Sequence, residues 1–219
     1  MKKVLIVWGG WEGHVPEQMA KLFEEMLLAE NFDVEVTNDY TVFADTDNLK
    51  QLDLIVPCIT MDKTEDAYIE NVSQAVMAGT GLAGCHGGMG DSFRENTTWQ
   101  FMVGGQFVAH PGDAGNEYRV NIKNSSSPLT EGLEDFTVTT EQYYMHVDPA
   151  IEVLATTRFP TADGPHVPNG AFEMPVAWTK HWGEGRVYYN ALGHVPANLE
   201  SGTTAREMVR RGLLWAANA

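Results

Sequence analysis

Cysteine is nearly absent. Only Cys58 and Cys85 occur in 219 residues, too few for a disulfide framework, and both fall in apolar runs. Reduced thiols and a cytoplasmic location are expected. Basic residues are also scarce, with 14 Lys and Arg against 30 Asp and Glu, a net charge of −16. Such a balance argues against nucleic acid and anionic membrane surfaces as partners, since both need a positive footprint. It leaves neutral small molecules and cations. No apolar run approaches the roughly 20 residues of a membrane span. The first one, "KVLIVW" (3–8), meets glycines sooner than a secretory leader allows. Phosphate-binding signatures are missing too: "GGWEGH" (9–14) is not a G-x-G-x-x-G fingerprint, and there is no P-loop. No compact zinc motif of the H-E-x-x-H kind occurs either.

What is present is a doubly wound pattern. "KVLIVW" has the continuous apolar character of a strand buried on both faces. A helix is expected from Pro16, with Met19, Leu22, Phe23, Met26 and Leu27 on one face. Strands follow at 32–36, 52–58 and 81–85. The last is preceded by a helix carrying Ile69, Val72 and Val76 and closed by Gly79. The second half is richer in strands, expected at 118–123, 136–145, 151–158, 175–180 and 185–193. A Pro/Gly loop is expected at 159–172 and a closing helix at 203–217. No linker divides the chain. One α/β domain over 1–219 is expected: a flavodoxin-like, mostly parallel sheet with helices on both faces and antiparallel edge strands.

In such sheets ligands bind beyond the carboxyl ends of the strands. His86 directly follows the strand at 81–85. His194 follows the strand "GRVYYNALG", His14 lies after the first strand, and His110 lies in "GGQFVAHPG", read as a loop. The spacing G-x-H-x-G (84–88) copies a nucleophile elbow with histidine at its tip. Gly87 and Gly88 would then offer backbone amides to an oxyanion. Cys85, one residue earlier, should turn into the core. Imidazole at such a tip suits general acid or base work, with His194 as partner. It equally suits metal ligation, with His14, His86, His194 and a carboxylate as a mixed set for zinc or another divalent ion. Trp11 follows two glycines and is expected exposed at the rim, and Tyr143, Tyr144 and Trp182 are read as lying near the same loops, where aromatic faces suit a sugar.

Taken in order, "GGWEGH", "GCHGG", "GGQFVAHP", "EQYY", "PVAW" and "GEGRVYYNALGH" resemble the trehalose-utilisation (ThuA-like) family over about residues 4–215. That resemblance implies a fold similar to class I glutamine amidotransferases. With His86 where those enzymes place cysteine, it does not imply amidotransfer. It adds Glu141 and Tyr144 from "EQYY" as site residues. Gln142 and Tyr143 depart from the family's usual acidic-leucine pair. The family points to a small-molecule carbohydrate as partner. The expected function is processing of a disaccharide or keto-sugar, with His86, His194 and Glu141 catalytic and Trp11, His14, Gly87, Gly88, His110 and Tyr144 binding substrate. A metal-dependent hydrolase and a non-catalytic sugar-binding or regulatory protein are the alternatives. A homo-oligomer is the ordinary expectation for a protein of this kind.

Overall fold

A computed structural model of the chain describes residues 1–123 and 125–217. Among the described residues, the first half alternates strand and helix: β1 (Lys3–Gly10), α1 (Pro16–Leu28), β2 (Asp33–Thr37), α2 (Thr46–Leu49), β3 (Leu54–Thr60), α3 (Asp66–Met77) and β4 (Gly81–Cys85). Next come α4 (His86–Gly90), α5 (Thr97–Val103) and β5 (Gly105–Ala109). The second half holds β6 (Glu117–Ile122), β7 (Phe136–Thr139), β8 (Tyr144–Val147), β9 (Glu152–Phe159), β10 (Phe172–Trp182), β11 (Gly185–Asn190) and α6 (Thr204–Ala216). No helix among these residues is long and apolar enough to cross a membrane.

One sheet runs in the order β2-β1-β3-β4-β11-β10-β9-β6-β7, and β5 pairs with β8 in a separate two-stranded sheet. The first five strands are parallel and the last four antiparallel. The parallel strands β3 and β4 are buried along their whole length, as their unbroken apolar runs require. Helix α1 seals one side with Met19, Phe23, Met26 and Leu27, all buried. Helix α6 contributes Met208, Val209 and Leu213.

The β3–β4 ladder is short, reaching only Ile55↔Leu82. Pro57, two residues on, has no N–H to extend it. The sheet opens there, and α4 packs into the gap: a side chain at Gly88 would stand 3.2 Å from the Cys58 Cα.

Three expectations need correction. The segment 136–145 is not one strand. It is β7 and β8, in different sheets, with 140–143 irregular between them. Side-chain bonding interrupts the ladder there: Gln142 Nε2 donates to Thr157 and to the Arg158 carbonyl, while its Oε1 accepts from Thr161. The stretch before His110 is not a loop but β5, which begins at Gly105, after the left-handed residue Gly104 has closed α5. Trp182 lies away from the predicted rim, donating to Ser73 on α3 and packing on Phe101.

Candidate functional site

The turn after β4 is an elbow. His86 sits at φ 51°, a backbone region costly for any residue with a Cβ. Its neighbours show why they are glycine. A Cβ at Gly84 would come within 2.8 Å of the Met89 Cβ, and one at Gly87 within 2.5 Å of the His14 ring. Tyr189, wholly buried on β11, donates its hydroxyl to the His86 carbonyl and holds the bend. Among the described residues, five non-glycine residues have positive φ: Val15, Asn31, Met61, His86 and Asp113. All but Asn31 are at the site or adjoin one of its side chains. Strained backbone of this kind clusters at functional sites in proteins generally.

Each site side chain arrives from a different element. His14 comes from the 3₁₀ turn between β1 and α1, His86 from the elbow, and His194 from the turn after β11. Asn190 shapes that last turn by accepting from the Leu192 amide at 2.9 Å. Glu141 lies in the break between β7 and β8, where Tyr118 donates to its carbonyl at 3.0 Å. The four converge, with one donor atom from each lying within 4.8 Å of the others. Glu141 Oε2 is the hub, 3.0 Å from His86 Nε2, 3.2 Å from His194 Nδ1 and 3.9 Å from His14 Nε2. His194 Nδ1 is also 3.3 Å from His86 Nε2.

The ring orientations are set from outside. His86 Nδ1 stands 2.8 Å from the Ala191 carbonyl. A carbonyl only accepts, so Nδ1 carries the proton and a neutral ring aims its Nε2 lone pair at the hub. His14 Nδ1 pairs with the Thr60 hydroxyl at 3.0 Å, turning its own Nε2 inward. Tyr143 stacks on the His86 ring at 3.9 Å between centroids.

Electrostatics follow from burial. His14, His86 and Glu141 are at most 8% exposed. Burial, helped by the like charges of His86 and His194, lowers the His14 imidazole to about 3. Burial also lowers His86, against the neighbouring Glu141 carboxylate, which raises it. For Glu141, burial alone would raise the carboxyl. The adjacent His194 and His86 outweigh it and hold the group well below the usual carboxylate range. The result is an ionised carboxylate beside two imidazoles, those of His14 and His86, that burial keeps neutral.

The remaining expected residues fall into two groups. Trp11 is 48% exposed, and its ring centroid lies 4.8 Å from that of His14, edge to face. His110 sits at the mouth, its Nε2 3.9 Å from Glu141 Oε1 and its Nδ1 3.2 Å from Asp113. Tyr144 points elsewhere, into Phe159 and Phe172. Its neighbour Tyr143 takes the place beside His86. Gly87 and Gly88 are closely packed, a Cβ at the first meeting the His14 ring at 2.5 Å and one at the second standing 3.2 Å from the Cys58 Cα. Cys85 is buried as expected. With Cys58, Met19 and Phe23 it lines a cavity of about 20 Å³ behind the two rings, room for one water. Burial pushes both thiols up. Thr60 was not anticipated as a site residue. The signal for Thr60 was a single hydroxyl closing the apolar strand "LIVPCIT" at its carboxyl end.

A family model described as trehalose utilisation (ThuA) matches residues 3–216. The chain belongs to the ThuA family. Two solved structures of ThuA-like proteins share the fold of this ThuA member. One, from Bacteroides uniformis, is 19% identical with a TM-score of 0.75, covering 99% of this chain and 91% of that one. The other, from Parabacteroides merdae, is 18% identical with a TM-score of 0.76, covering 100% and 90%. A β-galactosidase from Bacillus circulans sp. alkalophilus contains the same fold as one part of a larger chain. It is 13% identical with a TM-score of 0.61, covering 99% of this chain and 30% of that one. No curated protein matches the ThuA chain in sequence.

Proposed function

We propose that this ThuA-family protein is a metal-dependent enzyme of carbohydrate utilisation, with His14, His86, Glu141 and His194 holding one divalent cation such as zinc. The family description supports the carbohydrate role. The metal rests on one observation: the Nε2 lone pair of His86 faces a carboxylate oxygen at 3.0 Å while its Nδ1 proton is committed to Ala191. Two acceptors at that distance repel. A proton between them relieves one contact. A cation relieves this contact and those of His14 and His194 together. Donor atoms around a tetrahedral zinc stand about 3.3 Å apart, from bond lengths near 2.0–2.1 Å. The contacts of Glu141 Oε2, at 3.0–3.9 Å, bracket that value.

The outer bonds have the character of a metal site's supporting shell. A ligating imidazole generally gives its other N–H to a carbonyl or similar acceptor, which sets ring direction and basicity. Ala191 and Thr60 supply those acceptors. A bound divalent ion would polarise a sugar carbonyl or lower the pKa of a bound water. His194, whose side chain is 16% exposed, is the most open of the four and marks the side from which a ligand approaches. His110, at the mouth on the outer oxygen of Glu141, is placed to exchange protons with that ligand.

A metal-free reading, with His86 or His194 as base and the elbow amides as oxyanion donors, leaves the His86 Nε2 lone pair facing the Glu141 carboxylate with no cation between them. Elemental analysis of protein purified without chelator, with zinc titration of stripped protein, tests the proposal. About one equivalent in wild type and loss in His86→Ala and His194→Ala is the expected result. Absence of any zinc uptake by the stripped wild type rejects it.

A further inference from the structure

We infer that Trp11 is the specificity-determining platform of this site, stacking against the apolar C–H face of a ligand ring whose oxygens reach the cation. The inference rests on the metal reading above and adds how the ligand lies. The loop joining β1 to α1 is shaped around a side chain that the core does not need. Trp11 is 48% exposed, one of the few large apolar residues in the open. Its position is nonetheless tightly set. The Trp11 amide donates to the Thr60 carbonyl at 2.8 Å. Gly10, at φ 78°, passes so close that a Cβ would strike that same carbonyl oxygen at 2.0 Å. A Cβ at Gly13 would meet the indole ring at 2.3 Å, so a side chain there would push the ring from its place. Val15, β-branched at φ 42°, adds a strained residue to the same short loop.

One loop therefore carries both the His14 donor and an exposed aromatic ring, 4.8 Å apart at their centroids. An isolated exposed tryptophan has many explanations. One fixed at contact distance from a buried ligand residue, by two glycines that its geometry demands, serves whatever binds at that centre. The chemical class is a saturated ring with one C–H face and oxygen substituents on its edge. An acyclic ligand would leave the platform bare.

Two hydroxamates test this by calorimetric titration of the zinc-loaded protein: acetohydroxamate and cyclohexanecarbohydroxamate. They offer the same two oxygens and differ in the saturated ring. Wild type should prefer the cyclic probe by about tenfold, which corresponds to roughly 55 Å² of apolar surface leaving water. Trp11→Ala should reduce the preference to about twofold or less, with acetohydroxamate affinity nearly unchanged, and Trp11→Phe should keep part of it. No preference in wild type, an undiminished preference in Trp11→Ala, or no binding of either probe to zinc-loaded protein overturns the inference while leaving the metal intact. No zinc uptake in the preceding titration overturns the metal reading, and this inference with it.

Discussion

Replacing Glu141 by Gln changes one buried atom from a charged acceptor to an amide and leaves shape almost untouched. Glu141 Oε2 is the atom that the three imidazoles share, at 3.0, 3.2 and 3.9 Å, so the substitution removes the only anionic donor of the set. A cation that binds only the folded state stabilises it by RT ln(1 + [L]/Kd), about 2.7 kcal/mol at 100 times Kd. For a chain of this length, each kcal/mol moves Tm by roughly 2–4 °C. Zinc at that concentration should therefore raise the wild-type Tm by about 5–11 °C. If losing the carboxylate weakens binding about a hundredfold, the upper end of what even supporting residues cost, the same zinc concentration yields about 0.4 kcal/mol, or about 1–2 °C. Scanning calorimetry of stripped protein with and without zinc reads both values. A full zinc shift in Glu141→Gln would refute the assignment of this carboxylate to the cation.

Three further outcomes follow from individual contacts. Thr60→Val removes the hydroxyl that orients His14 and should weaken zinc binding about 10–100-fold in calorimetric titration; unchanged affinity would show that His14 does not bind through Nε2. Gln142→Glu puts an acceptor where two donated hydrogen bonds now run to Thr157 and Arg158. It should cost about 2–4 kcal/mol in urea unfolding with zinc stoichiometry unchanged, whereas lost stoichiometry would place residue 142 in the site. Glu207 on α6 is pulled down to about 2, foremost by its hydrogen bond from Arg210 and then by that from Arg211. Its folded value lies below its unfolded one, so its stabilisation is present above about pH 4.5 and lost as pH falls through 2. Glu207→Gln should be less stable than wild type near neutrality, with the gap closing as pH falls through 2; a gap at pH 2 as large as that at neutrality would contradict the pairing.

How far the sequence discloses this molecule depends on whether a signal is local. The parallel half was legible because β1, β3 and β4 are unbroken apolar runs and α1 repeats its apolar residues on one face. The elbow was legible because small residues at 84, 87 and 88 bracket a polar tip. The purpose of Gly87 was not. Its missing side chain makes room for His14, 73 residues earlier, and no local pattern encodes that contact. The phase of "EQYY" was likewise hidden. Read as a continuation of the strand from 136, the segment carries no mark of where the ladder breaks. Whether Tyr143 or Tyr144 faces His86 depends on Gln142 being anchored to the strand at 157–158. The strand β5 was hidden by its flanks, since Gly104, Gly105 and Pro111 mimic loop composition. In the structure Gly104 closes α5 and Pro111 follows the end of the strand.

The arrangement of donors was half visible. Three of the histidines follow parallel strands, whose carboxyl ends share one edge, so their meeting needed only the fold. Glu141 comes from the antiparallel half. Its arrival depends on the split between β7 and β8, which sequence alone did not show.

The central claim is tested most directly by anomalous diffraction at the zinc absorption edge, from crystals of protein loaded with zinc. The account predicts one strong peak within bonding distance of His14 Nε2, His86 Nε2, His194 Nδ1 and Glu141 Oε2. Crystals with those four side chains ordered as described and no peak among them would contradict it.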